Sequence, residues 1–421
     1  MTFAISCADD PPLAQVKQPL EQQGLTAESF LTTSLKSIPN NFPVLNAAGY
    51  AAPFSTAGAI NLKNEFHTPQ GTNGRSCATC HILTSGWSNR PIDDQILFDL
   101  TGGTHPIFNI IDANTPTSDV STVQARRKSY SMLLQGKFLR LRKPPANAEF
   151  DVIAANDPFN FGTTANLLFF RTVPPTANFK SFTVMWDGAN TVGTDLRAGL
   201  VKQARGNVTG AQQGAPASDQ VINAIVDQEL GFSFAQLFVT GAGRLDADGA
   251  HGGPQLHSAQ PLVSGRFDLY DAWMGSANPR RAQIARGQEI FNNVNTPSGR
   301  RCGGCHSAAN SGQNVAGTLF DIGTSAGTRK KADMAVYTLR NKVTLETKDT
   351  TDPGLGFVTG LWSDVNRFKT PSLRGLSARG PYFHNGIAGT LLDVVRFYES
   401  SLGFVFTSAE EADLVAFLSA L

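Results

Sequence analysis

The stretch NGRSCATCHI, residues 73–82, sets Cys77 and Cys80 three apart and His81 directly after them. Three chemistries use cysteines at this spacing: a redox disulfide, half of a zinc site, and covalent attachment of a haem. The other cysteines decide among them. RRCGGCHSA, residues 300–308, repeats the pattern with Cys302, Cys305 and His306, and of five cysteines only Cys7 stands outside the two copies. A thioredoxin-like site needs neither the histidine nor a second copy. A zinc ribbon needs its pairs about 15–20 residues apart, whereas these lie more than two hundred apart. Residues three and four apart share one face of a helical turn. Two thiols there reach the two vinyl groups of one haem, and the next histidine reaches its iron. The sequence therefore predicts two covalently bound haem c groups.

The chain of 421 residues is 41% hydrophobic and 16% charged, which fits a globular protein with a sizeable core. Its net charge of +1 gives no bulk electrostatic reason to expect nucleic acid or a membrane surface as partner. No apolar run reaches the roughly 18 residues of a membrane helix. The opening MTFAISCADDPP is too short for a secretory signal, so a signal would have been removed or replaced. Covalent haem attachment in bacteria points to the periplasmic or extracellular side. AISC weakly resembles a lipoprotein cleavage site, whose Cys7 would carry lipid; a stray thiol in a terminal segment is the plainer reading.

Residues 1–75 read as loop-rich, with a helix near residues 21–36. Between 101 and 165, apolar stretches broken by TGGTHP, DANTPT, KPPANA and NDPFNFGTT read as loops with brief strands or turns. LLFFRTV (167–173) and FKSFTVMW (179–186) read as short buried or strand-like segments. Helical patterning covers 194–205 and 218–238, the latter with Ser218 as N-cap. TGAGRLDADGAHGGPQ is a polar, Gly-rich connection. A helix is expected over 278–293, and another closes the chain with Ser408 as N-cap. The predicted fold class is mainly α: two cytochrome c-like haem domains, residues 1–265 and 266–421, with long loops and a few short strands.

Two further stretches narrow the function. VMWDG (184–188) and RFKTPSLRGLSARGPYFHNGIAGTLLDVVRFY (367–398) resemble signature segments of the bacterial di-haem cytochrome c peroxidases and their relatives, which include MauG and the di-haem rubber oxygenases. The resemblance runs from about residue 70 to the end. It implies that the N-terminal haem is the reaction site and that the C-terminal haem is six-coordinate and relays electrons. Trp186 takes the place of the residue that carries charge between them; by itself it reads equally as a buried core indole. The family's distal ligand to the second haem stands fourteen residues after the His of the PYFHNG-like motif, which here is Tyr398 after His384. It is Met in typical peroxidases and Tyr in MauG. A phenolate is a harder donor than a thioether and stabilises ferric and higher-valent iron. Met334 is the only other interior candidate, and His384 orients the haem surroundings. The family also holds calcium between its domains; carried over, its contacts are the carbonyls of Arg379 and Pro381 with Asn109 or Asn114.

One stretch departs from the family. Its peroxidases set a Gln and, ten residues on, a Glu over the first haem, with Gly-Pro between. KQARGNVTGAQQGAP (202–216) matches at Gln203, but Asn207 replaces the Pro and Gln213 replaces the Glu. An amide cannot act as a general base. No Asp or Glu lies between Asp195 and Asp219. Either the pocket has no carboxylate, or one arrives from elsewhere, such as Glu229 or Asp227. His67, His105, His251 and His257 lie in Gly/Pro/polar stretches and are expected to have surface or structural roles.

These readings favour a periplasmic di-haem oxidoreductase that activates peroxide or dioxygen. Its electrons would come from a small cytochrome, a cupredoxin, or a protein or organic substrate. The alternatives are an electron-transfer cytochrome with no substrate and an oxygenase acting on an apolar substrate.

Overall fold

In the computed structural model, residues 36–421 are described. The helix expected near 21–36, apart from its last residue, and Cys7 lie outside them. Among the described residues no helix is long and apolar enough to cross a membrane.

The chain is mixed α and β, and the expectation of a mainly α fold is corrected: about 32% of it is helical. Much of the difference lies in segments whose alternation or uniform burial favours strands. Within the supposedly loop-rich stretch before residue 75, Gly49–Ser55 pairs antiparallel with Phe232–Val239, in a four-stranded sheet completed by Val44–Asn46 and Gly243–Arg244. The helix expected over 218–238 therefore stops early. Ser218 does cap Asp219–Gly231, accepting from the Val221 amide, but from Phe232 the chain is extended. Every residue of Phe232–Val239 is buried, and a run buried on both faces carries no period that separates strand from helix. LLFFRTV does form a strand, Leu167–Thr172, paired with Lys137–Arg142. FKSFTVMW does not: it is a chain of bends and turns.

Two apolar clusters underlie the two cysteine pairs. Cys77 packs with Phe66, Trp87, Leu200, Ile225 and Phe232. Cys302 packs against a cluster built from the Pro279–Asn293, Leu391–Leu402 and Ser408–Ser419 helices. Residues 239–250, ahead of the division expected near 265, belong to that second cluster. The first and last of its helices cross in backbone contact: a Cβ on Gly287 would meet the Asp413 carbonyl at 1.9 Å. The final helix begins one residue earlier than expected, since Thr407, not Ser408, is its cap, in a capping box with Glu410.

The halves of the chain are also stitched together. Phe150–Asn156 pairs antiparallel with Val336–Asn341, and the Thr172 amide donates to the His384 carbonyl at 2.7 Å. Arg171 is buried between Asp187 (2.5 Å) and Asp352 (2.6 and 2.8 Å).

Candidate functional site

Each cysteine pair forms one helical turn, Cys77–Cys80 and Cys302–Cys305, and each turn ends on its histidine. The amides of His81 and His306 donate to the carbonyls of Cys77 and Cys302 at 3.0 and 2.9 Å. Both imidazoles then use Nδ1 in the same way. His81 donates to the Trp87 carbonyl at 3.0 Å and His306 to the Gly312 carbonyl at 2.6 Å, each six residues ahead. That bond assigns the proton to Nδ1 and leaves Nε2 with a lone pair. Burial holds both imidazoles down to about 4, so they are neutral ligands at pH 7. The four cysteines form no disulfide, and burial pushes the Cys80 and Cys302 thiols up to about 12.

Each turn opens on its own cavity, and the two cavities differ in character. Around Cys302, Cys305 and His306 the walls are mostly apolar, with Phe291, Leu391 and Phe406 among them. Around Cys80 and His81 the walls carry Arg75, Arg140, Gln203, Asn207 and Glu229. Val173, Pro175 and Lys369 line both cavities, so these residues form a shared wall. Single-turn thiol pairs, a free Nε2 beside each, and apolar space with buried cations at its edge fit a c-type haem at each turn. The apolar walls would hold the macrocycle, and Arg75, Arg140, Lys369 and Arg379 are cations that could meet its carboxylates. Arg379 Nε has no hydrogen-bond partner among the described residues.

Trp186 is 7% exposed and lines the second cavity. Its indole donates to the Thr172 carbonyl at 2.9 Å, and its own carbonyl accepts from the amide of Lys369 in the shared wall at 2.9 Å. Tyr398 lines the same cavity as His306, whereas Met334, the rival candidate, is buried elsewhere. Burial raises the Tyr398 phenol, with the nearby Cys302 and Cys305 adding to the shift; unligated, it is neutral at pH 7. His384 is stacked on Phe368 at 3.6 Å between ring centroids, with Nε2 3.1 Å from Ser325 Oγ and 3.6 Å from Asp352. It braces the wall beside Trp186.

Two expectations are corrected. Gln213 does not reach the first cavity: it is an exposed turn residue with φ +55°, and its carbonyl accepts from Thr72. Its neighbour Gln212 is buried, bonded to Asn207 and 3.8 Å from Cys77 Sγ, but does not line the cavity either. Asp227 is turned outward and paired with Arg197. Of the histidines expected to have surface or structural roles, two are structural. His257 is 2% exposed on the short Pro254–Ala259 helix and bonded to the Asn310 carbonyl, and His67 is held down to about 4 by burial. Of the residues carried over for calcium, Arg379 and Pro381 line the second cavity. Asn109 and Asn114 commit their side-chain oxygens to the amides of Ile111 and Met132. Among the described residues no group of three or more His, Cys, Asp or Glu is arranged to hold a metal ion. Arg140 escaped sequence reading because it lies in no motif, whereas Arg75 sits inside NGRSCATCHI and Lys369 inside RFKTP. Only the fold brings them to a cavity wall.

No protein-family model matches the chain. It is 40% identical to a cytochrome-c peroxidase, IdrP1, of Denitromonas iodatirespirans over 81 residues, 17% of this chain and 22% of that one. It is 31% identical to IdrP2 of the same organism over 173 residues, 38% and 45% of the two chains. It is 30% identical to the methylamine utilization protein MauG of Methylophilus methylotrophus over 182 residues, 39% and 45% of the two chains. The matched regions thus span less than half the length of each of these relatives.

Proposed function

From the premise that the chain is a relative of the di-haem cytochrome c peroxidase and MauG superfamily, we propose that it is a periplasmic di-haem oxidoreductase with one haem c on each Cys-x-x-Cys-His turn. One haem falls to each side of a division near residue 265. The supporting observation is the asymmetry of the two cavities. The His81 side carries amide, carboxyl and cationic groups able to orient and protonate a small oxidant. The His306 side is mostly apolar, with a phenol. The first suits chemistry and the second suits electron storage.

When bound, haem c supplies a redox-active iron with one protein ligand and room for another. The chain's residues do the rest. His81 and His306 present Nε2 because Nδ1 is tied to a carbonyl. Gln203 offers an amide to a ligand entering the first cavity, and Tyr398 offers a phenol oxygen in the second. Trp186, beside the shared wall, is the natural stepping-stone for an electron, and a small cytochrome or cupredoxin is the natural donor. Peroxide or dioxygen is the oxidant. Calcium forms no part of this reading.

Two measurements test it. The ferric protein is expected to show a high-spin fraction in its electron paramagnetic resonance, and on reduction the His81 haem is expected to bind carbon monoxide. Wholly low-spin iron inert to carbon monoxide would instead support the electron carrier. Tyr398→Phe is expected to remove a phenolate charge-transfer band. It should also raise the potential of the C-terminal haem by a sizeable part of the roughly 0.8 V range that axial ligands set. An unchanged redox titration would remove Tyr398 from the iron.

A further inference from the structure

The His81 cavity holds a carboxyl group for which packing gives no reason. Glu229 lies two residues before the end of the Asp219–Gly231 helix, 3% exposed, and lines the cavity with Gln203 and Asn207. The latter two stand four apart on one face of the Leu196–Thr209 helix. Glu229 Oε2 has no hydrogen-bond partner among the described residues. A buried acid without a partner is costly, and an apolar residue of similar size would avoid that cost.

The other titratable and charged groups on this cavity are Arg75, paired with Asp112, together with Arg140, Lys369, Cys80 and His81. Cys77 lies close enough for Glu229 to help raise its thiol. None of these forms an ion pair with Glu229, and burial pushes its carboxyl up to about 8. The group is therefore neutral at pH 7 and ionises a little above it.

We propose that Glu229 is the proton-transferring residue of this cavity, acting on a small oxidant of the hydroperoxide class. The proposal rests on the reading that a c-type haem occupies the cavity. The Glu229 carboxylate takes the proton from the inner oxygen of HOOH and returns it to the outer one. The O–O bond breaks and the outer oxygen leaves as water; the inner oxygen, reduced by the two electrons that the haem c groups would supply, takes two protons from solvent and leaves as a second water. Gln203 holds the oxidant by its amide without exchanging a proton. The acid thus arrives from the helix after the one on which sequence reading sought it.

The test compares haem-loaded wild type with Glu229→Gln and Glu229→Asp. Difference infrared spectra of the wild type are expected to show a protonated carboxyl that titrates near pH 8, absent from Glu229→Gln. With hydrogen peroxide, the spectral change at the His81 haem should slow by on the order of 10²–10⁴-fold in Glu229→Gln. Glu229→Asp should recover part of the rate. An ionised base is needed, so the wild-type rate should climb as pH rises through about 8, and the Gln variant should lack that climb. A haem-loaded Gln variant that keeps the wild-type rate and pH profile overturns the proposal, as does an Asp variant no better than Gln. Lack of covalent haem on Cys77 and Cys80 in the wild type, or a wild type indifferent to peroxide, overturns the haem–peroxide reading itself.

Discussion

Replacing Arg171 with methionine is expected to lower the unfolding free energy by roughly 3–5 kcal/mol, read from urea or thermal unfolding of the haem-loaded protein. The guanidinium is buried between two carboxylates, Asp187 and Asp352, each no more than 3% exposed in its side chain. Removing it strands both charges. Burial pulls the Arg171 guanidinium down, but Asp352 and Asp187 outweigh burial and hold it above its ordinary value. At Asp187 burial pushes the carboxyl up, and Arg171 outweighs it, so the net shift is downward. A depressed carboxylate contributes stability above its unfolded value of about 4 and loses it as pH falls through the folded value. The gap between wild type and Arg171→Met should therefore narrow in acid. The triple variant that also carries Asp187→Asn and Asp352→Asn should recover part of the loss, because no unpaired charge remains. A single variant within about 1 kcal/mol of wild type would show that the cluster does not hold the halves together. Trp186 adjoins Asp187 and His384 adjoins Asp352, so the same variant should disturb electron transfer between the haems.

Changing Cys77 and Cys80 together to serine is expected to reduce covalent haem from two groups per chain to one, measured by mass spectrometry of the denatured protein. It should also abolish the carbon monoxide and peroxide responses. Cys302→Ser with Cys305→Ser should likewise remove one haem, but the remaining His81 site should still bind carbon monoxide once reduced by a small-molecule reductant. What it should lose is reduction by a protein donor. The two cavities predict this asymmetry, since the His81 side is the more polar and carries Gln203, Asn207 and Glu229. If both double variants keep the carbon monoxide response, or only the second loses it, the reaction site has been assigned to the wrong half.

Much of the candidate site was legible in sequence because covalent chemistry fixes spacing. Two thiols and a histidine must share one turn, and both turns form. Tyr398 and His384 were found through a long family segment, and they do line one cavity. The fold class was less legible. Phe232–Val239 looked like the continuation of a helix because a strand buried on both faces shows no alternation, and its partner Gly49–Ser55 lies far back in the chain. Gln213 was placed by counting along the chain, which assumes that the backbone keeps the family's course. Here the loop carries Gln213 outward at φ +55°, away from the cavity that Gln203 and Asn207 line.

Sequence alone determined where two thiols and a histidine share a turn, at Cys77–His81 and Cys302–His306, because that rule is local and acts within one helical turn. Tertiary structure alone decided which cavity is the more polar, which residues form the shared wall, and that of the carboxylates offered, Glu229 and not Asp227, faces His81's cavity while Gln213 does not. Those outcomes depend on helices and strands distant in sequence packing together, and burial, which sets the charge state of Glu229, exists only once they have.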